Sequence, residues 1–310
     1  MQFDKTAITI SQRRLMDLID LSLIVLRSYF GTIVLCSLIG IVPFALLNFV
    51  LTFPLWDYEY LAMRSVDISD PLAYRVRFYI IQMTLVFLQM PLALSGLTYF
   101  IGQAVFVEQQ SIKQVFKSCL ARWLQLTLVL GFYRFAVLGY LQLLFMFYNP
   151  ELNVGLELGV CLFLICGSVF ITRAARPFAP EILVLERTNL LKKKSSSSAS
   201  PSYAQRNKWL HSMQFSDNFG AHLLLSCVAI WGVACLSISL VLLTGVISKS
   251  WTWSEWIDLL GLPIACWTIA TWMTIVRFLL YMNTRIQTEG WEVELKFKAE
   301  SDRLAEAGVQ

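Results

Sequence analysis

Six long apolar runs divided by short polar loops organise the chain. An α-helix needs about 20 predominantly apolar residues to cross a hydrocarbon layer of about 30 Å. Measured on that ruler, the runs predict spanning helices over Thr32–Phe53, Phe78–Val107, Leu124–Phe147, Val154–Thr172, Phe219–Ile247 and Trp256–Tyr281. Trp56, Trp123, Trp251, Trp253 and Trp256 fall at the proposed ends, where an amphipathic ring prefers the headgroup region. The expected fold class is all-α: a polytopic transmembrane helical bundle of six spans with cytoplasmic interfacial amphipathic helices. It divides into an amino-terminal segment (1–31), a first membrane half of three to four spans (32–172), an interfacial segment with a Ser/Lys-rich linker (173–218), two last spans (219–281) and a charged tail (282–310).

The segments between spans have patterns of their own. From Ser11 to Phe30, Arg13, Asp17, Asp20 and Arg27 recur at spacings near three, four and seven among Leu15, Leu18, Ile19, Leu23, Val25 and Leu26, which reads as a surface helix with Ser11 as N-cap. The alternative is a bent extension of the first span. Ser111–Arg122 repeats the theme, with Lys113 and Lys117 four apart and Ile112, Val115, Phe116 and Leu120 as its apolar side. Arg176–Arg187 is too short to cross, and Pro177 and Pro180 obstruct a continuous fourth helix, so a bent interfacial segment is expected. Lys192, Lys193 and Lys194 then lead into the serine run, the mark of a flexible linker. Trp291–Glu300 alternates like a strand, but the i,i+4 pairs Glu292/Lys296 and Glu294/Lys298 favour a helix, and a lone strand would leave its edges unpaired.

Composition and charge narrow the class. Hydrophobic residues make up 57% of the chain and charged residues only 15%, against roughly a quarter charged in soluble domains. A formal charge of +4 with basic residues gathered at helix ends gives no face for nucleic acid. Lys5, Arg13, Arg14, Arg27, Lys113, Lys117, Arg122, Arg173, Arg176, Arg187, the lysine triplet, Arg206, Lys208, Arg285, Lys296, Lys298 and Arg303 fall on one side, against Arg64, Arg75, Arg77 and Lys249 on the other. The positive-inside rule therefore puts both termini in the cytoplasm. Asp57, Glu59, Asp67, Asp70, Glu151, Glu255 and Asp258 are assigned to outer loops. The first run begins near Ile33 with no small-residue cleavage site after it, so an uncleaved anchor is expected.

Candidate chemistry is sparse. The seven cysteines have no C-x-x-C spacing, and His211 and His222 have no Cys, Asp or Glu at ligand spacing, so no disulfide, metal or other cofactor is expected. No G-x-S-x-G elbow or nucleotide loop occurs, and the chain is read as lacking enzymatic activity. Arg134 stands near the middle of the third run, where arginine costs about 2.5–3.5 kcal/mol on insertion scales and needs a buried partner or a cavity. Gln89, Gln142 and Glu157 complete a candidate ligand-binding cluster, for an anionic headgroup or solute, or else a set of interhelical ties. Arg13, Arg14, Lys192, Lys193 and Lys194 are the candidate membrane-surface contacts. Pro43, Pro91 and Pro263 bend helices, for packing or for a site.

Three patches carry a family resemblance: Arg13-Arg14-Leu15-Met16-Asp17-Leu18 with Phe30-Gly31; Arg176-Pro177-Phe178-Ala179-Pro180-Glu181-Ile182 running to Leu185-Glu186-Arg187; and Tyr281-Met282-Asn283-Thr284-Arg285 followed by Glu289-Gly290-Trp291-Glu292-Val293-Glu294. With the span order, they resemble a group of uncharacterised prokaryotic multi-span proteins that includes the membrane domain accompanying glycerophosphoryl diester phosphodiesterases. The resemblance implies a six-helix bundle in a bacterial-type plasma membrane. It does not imply phosphodiesterase activity, which belongs to a separate barrel domain for which the chain has no room. The leading expectation is a non-catalytic scaffold or accessory subunit acting through membrane or cytoplasmic protein partners within the lipid bilayer. The alternative is a transporter or binder of lipid or a small anionic solute around Arg134.

Overall fold

The computed structural model describes residues 13–64, 71–104, 112–132, 144, 159, 163, 170–186, 188, 202–212, 214–249 and 257–289, and among these every regular element is helical. They are α1 (Leu15–Ser28), α2 (Phe30–Arg64), α3 (Pro71–Ala93), α4 (Ser95–Ala104), α5 (Ile112–Leu120), α6 (Trp123–Thr127), α7 (Ile171–Ala175), α8 (Ala179–Val184), α9 (Tyr203–Ser212), α10 (Phe215–Ser248) and α11 (Leu262–Glu289). Wide π-turns extend α6 over Leu128–Phe132 and lead into α11 over Ile257–Gly261. Three helices are long and apolar enough to cross a membrane, and a fourth span results if the bent pair α3 and α4 counts as one. They coincide with the first, second, fifth and sixth apolar runs. Most of the third and fourth runs, the serine linker, Ser11 and the tail beyond Glu289 lie outside the described residues.

The helix α11 is the hub. Its residues Met273–Thr284 are buried without interruption, the signature of a helix covered on all sides. It packs against α1, α3, α4 and α10. By contrast α10, which is more apolar, has only 6% of its most hydrophobic stretch buried. Leu223, Ile230, Trp231, Leu243 and Ile247 stand exposed along it. Apolar surface on that scale is costly in water and neutral in hydrocarbon, which makes the fold compatible with a membrane protein.

At the amino end, α1 starts at Leu15, with Arg14 as its N-cap residue. The Asp17 carboxylate accepts the Arg14 N–H at 3.2 Å, half of a capping box. Leu18, Leu21, Ser22 and Val25 form the buried stripe of α1. The Trp272 indole N–H donates to Ser22 Oγ at 2.8 Å, joining α1 to α11. Asp258, expected in an outer loop, is instead buried in the π-turn and accepts the Tyr79 hydroxyl at 2.6 Å. A carboxylate entering an apolar bundle needs such a donor.

Pro91 sets the main bend. It lacks the N–H that would hold the Phe87 carbonyl, and its ring displaces that carbonyl. The helix breaks at Leu94, so that Phe78–Ala93 and Ser95–Ala104 meet at 45°. Arg173, on α7, supplies the missing donors: its guanidinium donates to the Phe87 carbonyl and, at 3.0 Å, to that of Leu88, and it lies 4.5 Å over the Phe87 ring. Pro43 sits inside α2 with the helix continuous through it, and Pro263 directly follows the π-turn inside the continuous helix Ile257–Glu289.

Gly40 lets α2 approach that bend. A Cβ on Gly40 would stand 2.0 Å from the Ala93 carbonyl oxygen, whereas one on Gly31 would meet nothing within 4 Å. Gly40→Ala is therefore expected to destabilise the bundle by about 1–3 kcal/mol, and Gly31→Ala to leave it unchanged. Thermal unfolding of both variants in mild detergent checks this, and equal midpoints would remove the close approach.

Candidate functional site

All three patches of the family resemblance converge on the carboxyl-terminal half of α11. The backbone N–H of Arg13 donates to Asn283 Oδ1 at 2.9 Å, and Asn283 Nδ2 returns a bond to the Arg13 carbonyl at 3.2 Å. Phe178 packs edge-on against Tyr281 at 5.8 Å and stacks on His211 at 5.2 Å. The whole of α8 is buried in protein, from Ala179 to Val184.

A ladder of polar groups runs along α11 at intervals of four residues: Arg277, Tyr281, Arg285 and Glu289. At its deepest rung, Arg277 Nε donates to Glu181 Oε1 at 2.7 Å, with side-chain exposures of 7% and 0%. Arginine in an apolar helix is costly, and Glu181 is its buried counter-charge. One rung out, the Tyr281 hydroxyl donates to Glu186 at 2.7 Å. Glu186 also accepts two bonds from Arg206, at 2.5 and 2.9 Å, the bidentate geometry that suits guanidinium and carboxylate. Arg206 further donates to Glu289, which Arg285 engages at 2.8 and 2.6 Å. Two guanidiniums thus meet two carboxylates, with exposures of 12–18%. Burial works against the Arg206 charge, but the hydrogen bonds and charges of Glu186 and Glu289 outweigh it and raise its pKa above the ordinary arginine value.

The position of this junction matters more than its energy. Glu186 stands shortly before the Ser/Lys linker, Arg206 lies in the first described helix after it, and Glu289 ends α11 ahead of the tail. One charge network therefore ties both ends of the linker to the root of the tail. Within it two guanidiniums balance two carboxylates, and we refer to it as the clamp.

Of the residues singled out from the sequence, Gln89 is buried and its Nε2 donates to Asn48 Oδ1 at 2.5 Å, joining α3 to α2. Arg134, Gln142, Glu157, Lys192, Lys193 and Lys194 lie outside the described residues. Arg13 is half-buried with its backbone held by Asn283, and Arg14 is exposed. Sequence reasoning missed Asn48, Glu181 and Arg277. The available signal was that Arg277, well inside the sixth apolar run, needs an acid, and Glu181 is the acid flanked by buried apolar residues.

Chemistry outside the clamp is muted. Burial pushes the Cys119 thiol of α5 up to about 11, the nearby Cys36 adds to this, and a Ser95 hydrogen bond opposes it. Among the described residues no three His, Cys, Asp or Glu side chains converge within reach of a metal ion.

No family model, curated protein or solved structure matches this chain. What the fold and junction define is a class: an all-helical protein with three or four candidate membrane spans, fastened at one end by a buried ion pair and a charge clamp.

Two outcomes are expected. Glu181→Gln or Arg277→Met alone leaves a buried charge unpaired and costs about 3–5 kcal/mol, whereas the double replacement recovers most of that loss; unfolding of the three variants in detergent measures the coupling. A chain retaining Cys119 as its sole cysteine is expected to react with iodoacetamide at pH 8 at least about tenfold more slowly than a free thiol, because only the thiolate attacks.

Proposed function

We propose that the chain is a multi-pass integral protein of a bacterial-type plasma membrane, with six spans and both termini cytoplasmic. It acts without catalysis of its own, as a scaffold or accessory subunit for membrane or cytoplasmic partners. The charge bias of the loops supports this orientation. The resemblance of three sequence patches to the membrane domain accompanying glycerophosphoryl diester phosphodiesterases favours a six-helix bundle. Under this reading α1 and α5 lie at the cytoplasmic interface.

The carrying observation is the Glu186, Arg206, Arg285 and Glu289 clamp. The clamp brings together the residues from which the linker and the tail depart, and a partner that engages both segments would meet them at once. Two contacts fixed at short separation bind more tightly than either alone, through effective concentration.

The test is recovery of crosslinked complexes in mild detergent from native membranes, using the full chain, a chain lacking Trp291–Gln310, and Arg206→Ala. The same specific partner is expected with the full chain, lost without the tail and weakened by about tenfold in Arg206→Ala, while insertion stays normal. Failure of the full chain to recover any partner above an unrelated bait overturns the scaffold reading. Labelling of a cysteine placed at Ser196 from outside the cell overturns the topology.

A further inference from the structure

A second feature sits on the opposite half of α11, away from the clamp. The helices α2 and α11 touch little and are bridged by α3 at one end and α1 at the other. Between them lies a cavity of about 920 Å³, near the upper end of the roughly 300–1,000 Å³ of small-molecule sites. Its α2 wall runs from Phe30 to Thr52, about 33 Å at 1.5 Å per residue, close to the thickness of a hydrocarbon core of about 30 Å. The α11 wall runs from Pro263 to Trp272. No charged side chain lines it among the described residues.

A space of this size does not stand empty in a bilayer, because each lining atom would lose its dispersion partners on one side. Water is no substitute where the walls are aliphatic. The polar features of the wall are specific. Ser37, Asn48, Gln82 and Trp267 line the cavity, each at least nine-tenths buried, and Ser37 Oγ, Asn48 Nδ2, Gln82 Oε1 and Trp267 Nε1 have no hydrogen-bond partner in the protein. These unpartnered groups are sealed behind the apolar lining, so a ligand in the cavity reaches them only where a side chain turns toward it. Asn48, Thr52 and Gln82 gather at one end, about 27 Å along α2 from Phe30. The terminal torsions of the two amides are broad enough to turn them inward.

We propose that this cavity binds a diacyl membrane lipid, its chains lying along α2 and its uncharged ester or hydroxyl groups meeting the Asn48 and Gln82 end. Among the described lining residues the polar groups are uncharged, which suits ester or hydroxyl groups better than an ionic headgroup. A transmembrane helix of a partner fits less well. Helices pack closely where small residues let backbones approach, and here Phe30, Leu38, Leu46, Phe49, Trp267 and Trp272 hold the walls. This site is separate from the clamp and does not rest on the scaffold reading.

The experiment is native mass spectrometry of the full chain after reconstitution in phosphatidylcholine or phosphatidylglycerol vesicles and transfer to mild detergent. Thr268→Trp and Val42→Trp fill the cavity from opposite walls at exposed positions, and circular dichroism with thermal unfolding shows that each is folded. The expected result is one retained lipid per chain, equal for the two headgroups, and reduced by about tenfold in both filled variants. Gln82→Leu, which keeps the apolar volume, is expected to speed lipid release. Deletion of Trp291–Gln310 is expected to leave retention unchanged, which separates this test from that of the scaffold. Absence of retained lipid in the full chain, or undiminished retention in both filled variants, overturns the proposal. So does a preference of about tenfold for the anionic headgroup. Loss of a protein partner on filling, with lipid retention unchanged, also overturns it and assigns the cavity to a helix.

Discussion

A carbonyl deprived of its helical partner inside an apolar bundle must find another donor, and the rest of this structure is arranged around that requirement. Pro91 takes the donor away from Phe87, and Arg173, more than eighty residues later, returns it. Without that guanidinium the bend between α3 and α4 would leave polar backbone in apolar surroundings, where no water can repair it. With it, the bend becomes a fixed corner into which α2 settles through Gly40. The corner also directs α4 toward α5 and α8, so the position of α8 against α11, and hence of Glu181 against Arg277, follows from the same local defect.

The ion pairs of α11 specify more than they stabilise. Desolvating Glu181 and Arg277 offsets most of their attraction, and a pair of well-packed apolar side chains would hold the helices as firmly. What apolar side chains do not supply is register. Sliding α11 by one turn against α8 would bring Tyr281 to Glu181 and Arg285 to Glu186, stranding Arg277 and separating Glu289 from Arg206. Two rungs with different partners, Arg277 on Glu181 and Tyr281 on Glu186, therefore favour one alignment. The Asn283 clip to Arg13 fixes α1 to the same helix at both its backbone groups.

Much of this was written in the apolar pattern. The runs that became α2, α10 and α11 are legible because length and hydropathy alone decide them. The helix α1 was legible from the periodicity of its charges, although its start was not: Asp17 serves Arg14 directly. The second run was legible as apolar and as bent at Pro91, but the size of the bend was not, because only Arg173 makes a 45° corner tolerable. The site was less legible. Glu181 and Arg277 stand 96 residues apart in the chain, and no local spacing signals such a pair. Gln89 drew attention through its depth, yet its partner is Asn48, an amide whose reach across to α3 no one-dimensional pattern records. Asp258 looked like a loop acid because it follows a tryptophan cluster, and its burial depends on the hydroxyl of Tyr79 from another helix.

The cavity and the clamp share two elements, and this couples them physically. The first half of α11 lines the cavity and the second half carries the polar ladder, so the helix is one rigid lever between them. On α1, Ile19, Leu23 and Leu26 close one end of the cavity, while Ser22 is bonded to Trp272 and the backbone before the helix is bonded to Asn283. Acyl chains that part α2 from α11 must therefore either displace α1 with them or strain its two ties to α11. A ligand shifts such an equilibrium only by its differential affinity for the two arrangements. The ties transmit that difference because they are short and anchored on the same helix as the clamp. Occupancy within the bilayer would in this way bear on the geometry from which the linker and the tail depart, with no segment required to unfold.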